Sequence, residues 1–64
     1  MIRKINKAEV KSTYIHVVYE DGDVTDYSKD DVVIFQKQLG EEAFKIKYGF
    51  WFNVDTGELD ISGT

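Results

Sequence analysis

Phe44-Lys45-Ile46-Lys47-Tyr48-Gly49-Phe50-Trp51-Phe52-Asn53-Val54 is the stretch on which the fold reading turns. Its large apolar residues Phe44, Ile46, Tyr48, Phe50, Phe52 and Val54 all occupy even positions, with Lys45, Lys47, Gly49, Trp51 and Asn53 between them. Successive side chains of a strand point to opposite sheet faces, so this two-residue period predicts one long strand with a buried even face. A helix would scatter the same residues around its circumference. Gly49 is expected to mark a bend or bulge in so long a strand. The odd side then presents Lys45, Lys47, Trp51 and Asn53 together, away from the core.

Downstream, Asp55-Thr56-Gly57-Glu58 is a turn, and Leu59 and Ile61 follow in phase. A four-residue loop would set Val54 opposite Leu59 and Phe52 opposite Ile61. Upstream, Ser28-Lys29-Asp30-Asp31 has the character of a helix start, with a hydroxyl for the free amides and acids at the positive end of the helix dipole. Val32, Phe35 and Leu39 recur at helical spacing and Gly40 supplies a stop, which predicts a helix over 29–39 with those three residues facing the core. The β-branched run Val32-Val33-Ile34 pulls against that assignment.

Further back, Tyr14-Ile15-His16-Val17-Val18-Tyr19 is β-branched or aromatic apart from His16. Asp21-Gly22 then separates it from Val24-Thr25-Asp26-Tyr27, a hairpin signal because glycine enters positive φ without a Cβ penalty. A two-residue turn would pair Tyr19 with Val24, and a three-residue bulged turn would pair Val18 with Val24. Apolar groups on both faces place 14–19 centrally in its sheet. Residues 2–11 are strand-like, with a turn or bulge at Asn6-Lys7. The fold expectation is therefore α+β: a single antiparallel sheet of four to five strands with one helix on one face, in the order β-β-β-α-β-β.

The chain has 64 residues, enough for one domain spanning 1–64. Hydrophobic residues make up 42% and charged residues 31%, a balance that favours a folded core over disorder. A chain this short hides only ~60% of the surface its unfolded form exposes. Its nine aromatics (Tyr14, Tyr19, Tyr27, Phe35, Phe44, Tyr48, Phe50, Trp51, Phe52) are expected to supply dense packing, self-association as a homodimer, or both. There is no cysteine, hence no disulfide and no thiolate metal site. No apolar run approaches the ~20 residues of a membrane span and no secretion signal is evident, so a cytoplasmic setting is the default expectation.

Catalytic signatures are thin. No serine sits in a Gly-x-Ser-x-Gly setting and no glycine-rich phosphate loop occurs. His16 is the one histidine, set among apolar strand residues, and it can reach Asp26 only in some hairpin registers. The expectation is a protein that is not an enzyme and uses no metal or cofactor.

Two surfaces remain as candidates. The net charge is −4, and residues 20–31 alone carry −5, from Glu20, Asp21, Asp23, Asp26, Asp30 and Asp31 against Lys29. Asp21, Asp23 and Asp26 could present carboxylates to a basic partner, mimicking nucleic-acid phosphates, or serve as solvated turn residues that keep strand edges apart. A calcium loop of EF type starting at Asp21 would need glycine where Asp26 stands. Trp51, with Lys45, Lys47 and Asn53, is the second candidate. It can anchor a protein contact, stack a base while the lysines follow phosphate, or pack as core. The acidic total disfavours nucleic acid.

These residues point to a small acidic protein-interaction module, acting as a regulator or inhibitor by binding another protein, with nucleic-acid binding through the Trp51 face as the alternative. The apolar strand ending in Tyr-Glu-Asp-Gly (19–22), the short strand and the Ser-led helix resemble small bacterial and phage domains in a generic way, over less than half the chain. That resemblance carries no functional residue across.

Overall fold

A computed structural model of the chain describes residues 2–61. Its elements run β1 (Ile5–Val10), β2 (Tyr14–Tyr19), β3 (Val24–Ser28), α1 (Lys29–Leu39), α2 (Glu41–Tyr48), β4 (Phe50–Asn53) and β5 (Glu58–Ile61). The class is α+β, but the sheet is not single. β1, β2 and β3 form a three-stranded antiparallel sheet in sequence order, and β4 and β5 form a separate antiparallel pair.

The N-terminal half follows from its residues. β2 lies centrally, and its inward Ile15, Val17 and Tyr19 are all buried. The Asp-Gly turn adopts the three-residue form: Val18 opposes Val24, the Tyr19 N–H donates to the Asp23 carbonyl, and Gly22 takes φ +94°. The β1–β2 register shifts between Ile5 and Lys7, which places the expected bulge at Asn6. α1 occupies the expected 29–39, with Asp30 and Asp31 in its first turn. Ser28 stands at the N-cap position, but its hydroxyl makes no capping bond.

The long strand expected over 44–54 does not form. Residues 41–48 are a second helix, and only Phe50–Asn53 is strand. Phe44 and Tyr48 are four apart and share the inner side of α2, with ring centroids 4.6 Å apart. Phe50 and Phe52 are two apart and share the inner side of β4, both buried. A helical pair and a strand pair, joined at a glycine, together mimic an unbroken period of two. Ile46 is the residue that separates the readings. An all-strand segment would bury it, whereas here it is 41% exposed.

Gly49 makes the join. It adopts a left-handed conformation at φ +86°, and its N–H donates to the Lys45 carbonyl, ending α2. A Cβ at this position would collide with the Arg3 carbonyl oxygen, so the glycine also lets the N-terminal segment pass close by. In the β4–β5 hairpin Phe52 opposes Leu59 and Phe50 opposes Ile61, two residues away from the expected pairing, and Val54 leaves the strand for the loop.

One core joins all the elements. Ile5, Ile15, Val17, Tyr19, Val32, Phe44, Phe50 and Phe52 are buried, with Ala8, Tyr27, Tyr48, Trp51, Leu59 and Ile61 packed against them. Phe44 meets Phe50 edge-on at 5.3 Å, and Tyr27 meets Tyr48 edge-on at 5.5 Å. Tyr19 supplies the polar tie. Its hydroxyl donates to the Tyr48 carbonyl at 2.8 Å, so the 2.7 Å contact with Tyr27 must use the Tyr27 proton. Burial first, and then the Tyr27 hydrogen bond, push the Tyr19 phenol well above its ordinary pKa.

Candidate interaction surfaces

The helices carry four of the exposed large apolar residues, with Ile2, Val10, Tyr14, Val24 and Val54 exposed elsewhere. α1 contains the apolar run Val32-Val33-Ile34-Phe35, and a helix turning about 100° per residue cannot bury all of it. Val32 and Gln36 face the core at 2% and 5% exposure, which sends Ile34 to the opposite pole. Of the stripe expected from spacing, Val32, Phe35 and Leu39, only Val32 is buried; Gln36 is the second buried residue, Phe35 is 42% exposed, and Leu39 is 40% exposed at the end of α1. Ile34, Phe35, Leu39 and Ile46 are each at least 40% exposed. Leu39 and Ile46 share a shallow open groove of about 400 Å³ with Gly40, Glu41, Glu42 and Ala43. Around this strip stand Asp30, Asp31, Lys37, Glu42 and Lys47, none of which is in an ion pair among the described residues.

The shared face expected for Lys45, Lys47, Trp51 and Asn53 is not assembled, because two of the four lie on a helix. Residues two apart on a helix point about 200° from each other, so Lys45 and Lys47 take opposite flanks of α2. Lys45 Nζ lies 2.9 Å from both Glu41 Oε2 and Asp60 Oδ2, and these carboxylates, Glu41 first, raise its pKa. Lys47 Nζ lies 5.7 Å from the centroid of the Tyr48 ring. Trp51 opposes Asp60 across the hairpin and is half-buried, meeting Phe44 edge-on at 5.8 Å. Asn53 ends β4 and its side chain serves the following turn: its Oδ1 accepts the Asp55 N–H at 3.0 Å. Trp51 and Asn53 do line one open groove of about 340 Å³, with Val33, Gln36, Lys37 and Val54, but Lys45 and Lys47 do not.

The acidic residues divide between two places. Asp21 accepts the Asp23 N–H at 3.0 Å, and Asp23 pairs with Arg3, whose guanidinium also stacks 3.5 Å above the Tyr19 ring. The Asp23 hydrogen bond is the main cause raising the Arg3 pKa. Asp26 lies instead on the outer side of the sheet, opposite His16, with His16 Nδ1 2.6 Å from Asp26 Oδ1. The realised hairpin register is thus one that permits this pair. Glu9 opposes His16 from the other side, making a row of Glu9, His16 and Asp26 across three strands. Lys11 first, and then Lys7, lower the Glu9 pKa to about 2. Among the described residues no group of three or more such ligands is placed to hold a metal ion.

The helix strip was legible only in part. The apolar run 32–35 is in the sequence, but the exposure of Phe35 depends on Gln36 taking an inner position, and that of Leu39 on its place at the end of α1. The missed helix had its own signals: Glu41 and Lys45 at i, i+4, acids leading and lysines trailing, and glycines at 40 and 49. Among the described residues no helix is long and apolar enough to cross a membrane. No family model, curated protein or solved structure matches this chain.

Proposed function

We propose that this chain is a small acidic protein-interaction module that acts by docking rather than by catalysis, through the outer strip of α1 and α2. The observation that carries the reading is the exposure of Ile34, Phe35, Leu39 and Ile46 on adjoining helical surfaces. Monomeric soluble proteins scatter exposed apolar residues singly, and a contiguous rimmed patch is the mark of an interaction site. Regulation or inhibition by occupying a partner's surface is the corresponding mode of action.

Two further placements favour docking over the other classes. His16 and Asp26 form an acid–base pair on an outer sheet face, and neither lines the grooves beside α1, beside α2 or at the N-terminal segment. Lys45, required by the nucleic-acid reading to follow phosphate, is already engaged by two carboxylates.

A photo-reactive phenylalanine analogue at position 35, with the same analogue at Asp55 as control, tests the reading in cells that make the protein. The expected result is a discrete protein adduct, either with itself or with another chain, from position 35 alone. Equal labelling from both positions would overturn it.

A further inference from the structure

Resting on that reading, we infer that the occupant of the strip is a second copy of this chain, with the two α1 helices packed antiparallel about a two-fold axis at Ile34. The charges of α1 select this arrangement. At about 100° per residue, Asp30 and Lys37 fall about 40° and 60° to one side of Ile34, and Gln38 and Asp31 fall about 40° and 60° to the other. Asp30 is four residues before Ile34 and Lys37 three after it. The two-fold rotation keeps each side of the stripe on its own side and reverses the direction. It therefore brings the partner's Lys37 within about one residue's rise, ~1.5 Å along the axis, of Asp30. The same operation sets Asp31 beside the partner's Gln38. Symmetry doubles each contact, giving two reciprocal ion pairs and two amide–carboxylate contacts around an apolar centre.

That centre is Ile34 against the partner's Ile34, with Phe35 about 100° round the helix on the flank that carries Asp31 and Gln38. Asp30 and Lys37 make no ion pair within one chain among the described residues, so both remain available. A parallel arrangement would instead set Asp30 beside the partner's Asp31, two like charges at each contact.

Sedimentation equilibrium on the purified full chain, over a range of concentrations, tests the inference. The wild type is expected to dimerise. Ile34→Lys is expected to abolish dimerisation; Ile34 sits at the outward pole, and circular dichroism checks that the fold is kept. Asp30→Lys alone and Lys37→Asp alone should each weaken dimerisation on the order of tenfold, because two symmetry-related attractions become repulsions. The double exchange Asp30→Lys/Lys37→Asp should recover it. A wild type that stays monomeric overturns the second copy while leaving docking of a different protein to the position-35 crosslink. A dimer indifferent to Ile34→Lys, or charge variants without mutual rescue, overturns the arrangement.

Discussion

Gln36 meets Phe52 as a neighbouring strand would: its Nε2–H donates to the Phe52 carbonyl at 3.0 Å, and its Oε1 accepts the Phe52 N–H at 2.7 Å. β4 pairs with β5 along one edge only, and the helix supplies a peptide-like amide along the other. This one contact ties α1 to the second sheet and closes part of an edge that would otherwise invite pairing with another chain. It also explains why α1 turns as it does. A polar residue has an inner position because it has two main-chain partners there, and Phe35 is left on the flank, 42% exposed.

Removing that amide leaves two buried main-chain groups unpaired. Gln36→Ala should cost about 1–3 kcal/mol in urea unfolding. Gln36→Glu separates hydrogen bonding from size. A carboxylate there would face the Phe52 carbonyl, so burial and repulsion raise its folded pKa above the unfolded value of ~4.3. With the folded pKa raised, its relative stability is greatest below the unfolded value and falls as pH rises through the folded one. The variant should approach wild type in acid, when a neutral carboxyl can again donate and accept, and diverge from it at neutral pH.

The two glycine joints should respond differently to alanine. Gly49 and Gly57 both have positive φ, so each substitution carries a left-handed penalty of ~1–2 kcal/mol. At Gly57 nothing lies within 4 Å of an added Cβ, whereas at Gly49 the methyl would overlap the Arg3 backbone. Thermal melts should therefore show Gly49→Ala to be the more damaging, and the chemical shifts of residues 3–5 should move in that variant alone.

These two joints mark where local pattern stops being enough. The β2–β3 hairpin was readable because Asp-Gly lies between β-rich runs and every deciding contact is close in sequence. Residues 44–54 were not, because spacing alone cannot distinguish Phe44 and Tyr48 on a helix from alternate residues on a strand. The decision rests on Glu41 and Lys45 pairing one turn apart, and on Arg3 lying against Gly49 from the far end of the chain. For the same reason the strip of Ile34, Phe35, Leu39 and Ile46 became visible only once α2 was in place.

On the outer side of the sheet, Glu9 should titrate at about 2, observable by carboxyl carbon NMR. Lys7→Ala/Lys11→Ala should return it towards 4.5, and added salt should do so in part, because all three groups are exposed. The folded pKa is depressed, so its contribution to stability is present above about 4.5 and is lost as pH falls towards about 2.

In alkali, Tyr19 should remain protonated until the chain unfolds. A phenol held above its ordinary pKa contributes stability below about 10, and that contribution is lost as pH rises beyond it. Absorbance at the phenolate band, followed together with circular dichroism, should show the last ionisation coinciding with unfolding. A complete titration before unfolding would contradict the Tyr19–Tyr48 tie.

The claim that the α1–α2 strip is the working surface is tested most directly by amide chemical shifts followed through a wide dilution series. Self-association there requires the resonances of residues 30–39 and 43–47 to move together with a single binding constant, while those of His16, Asp26 and the 54–57 loop stay fixed. Shifts that ignore concentration, or that gather instead at Trp51 and β5, would contradict it.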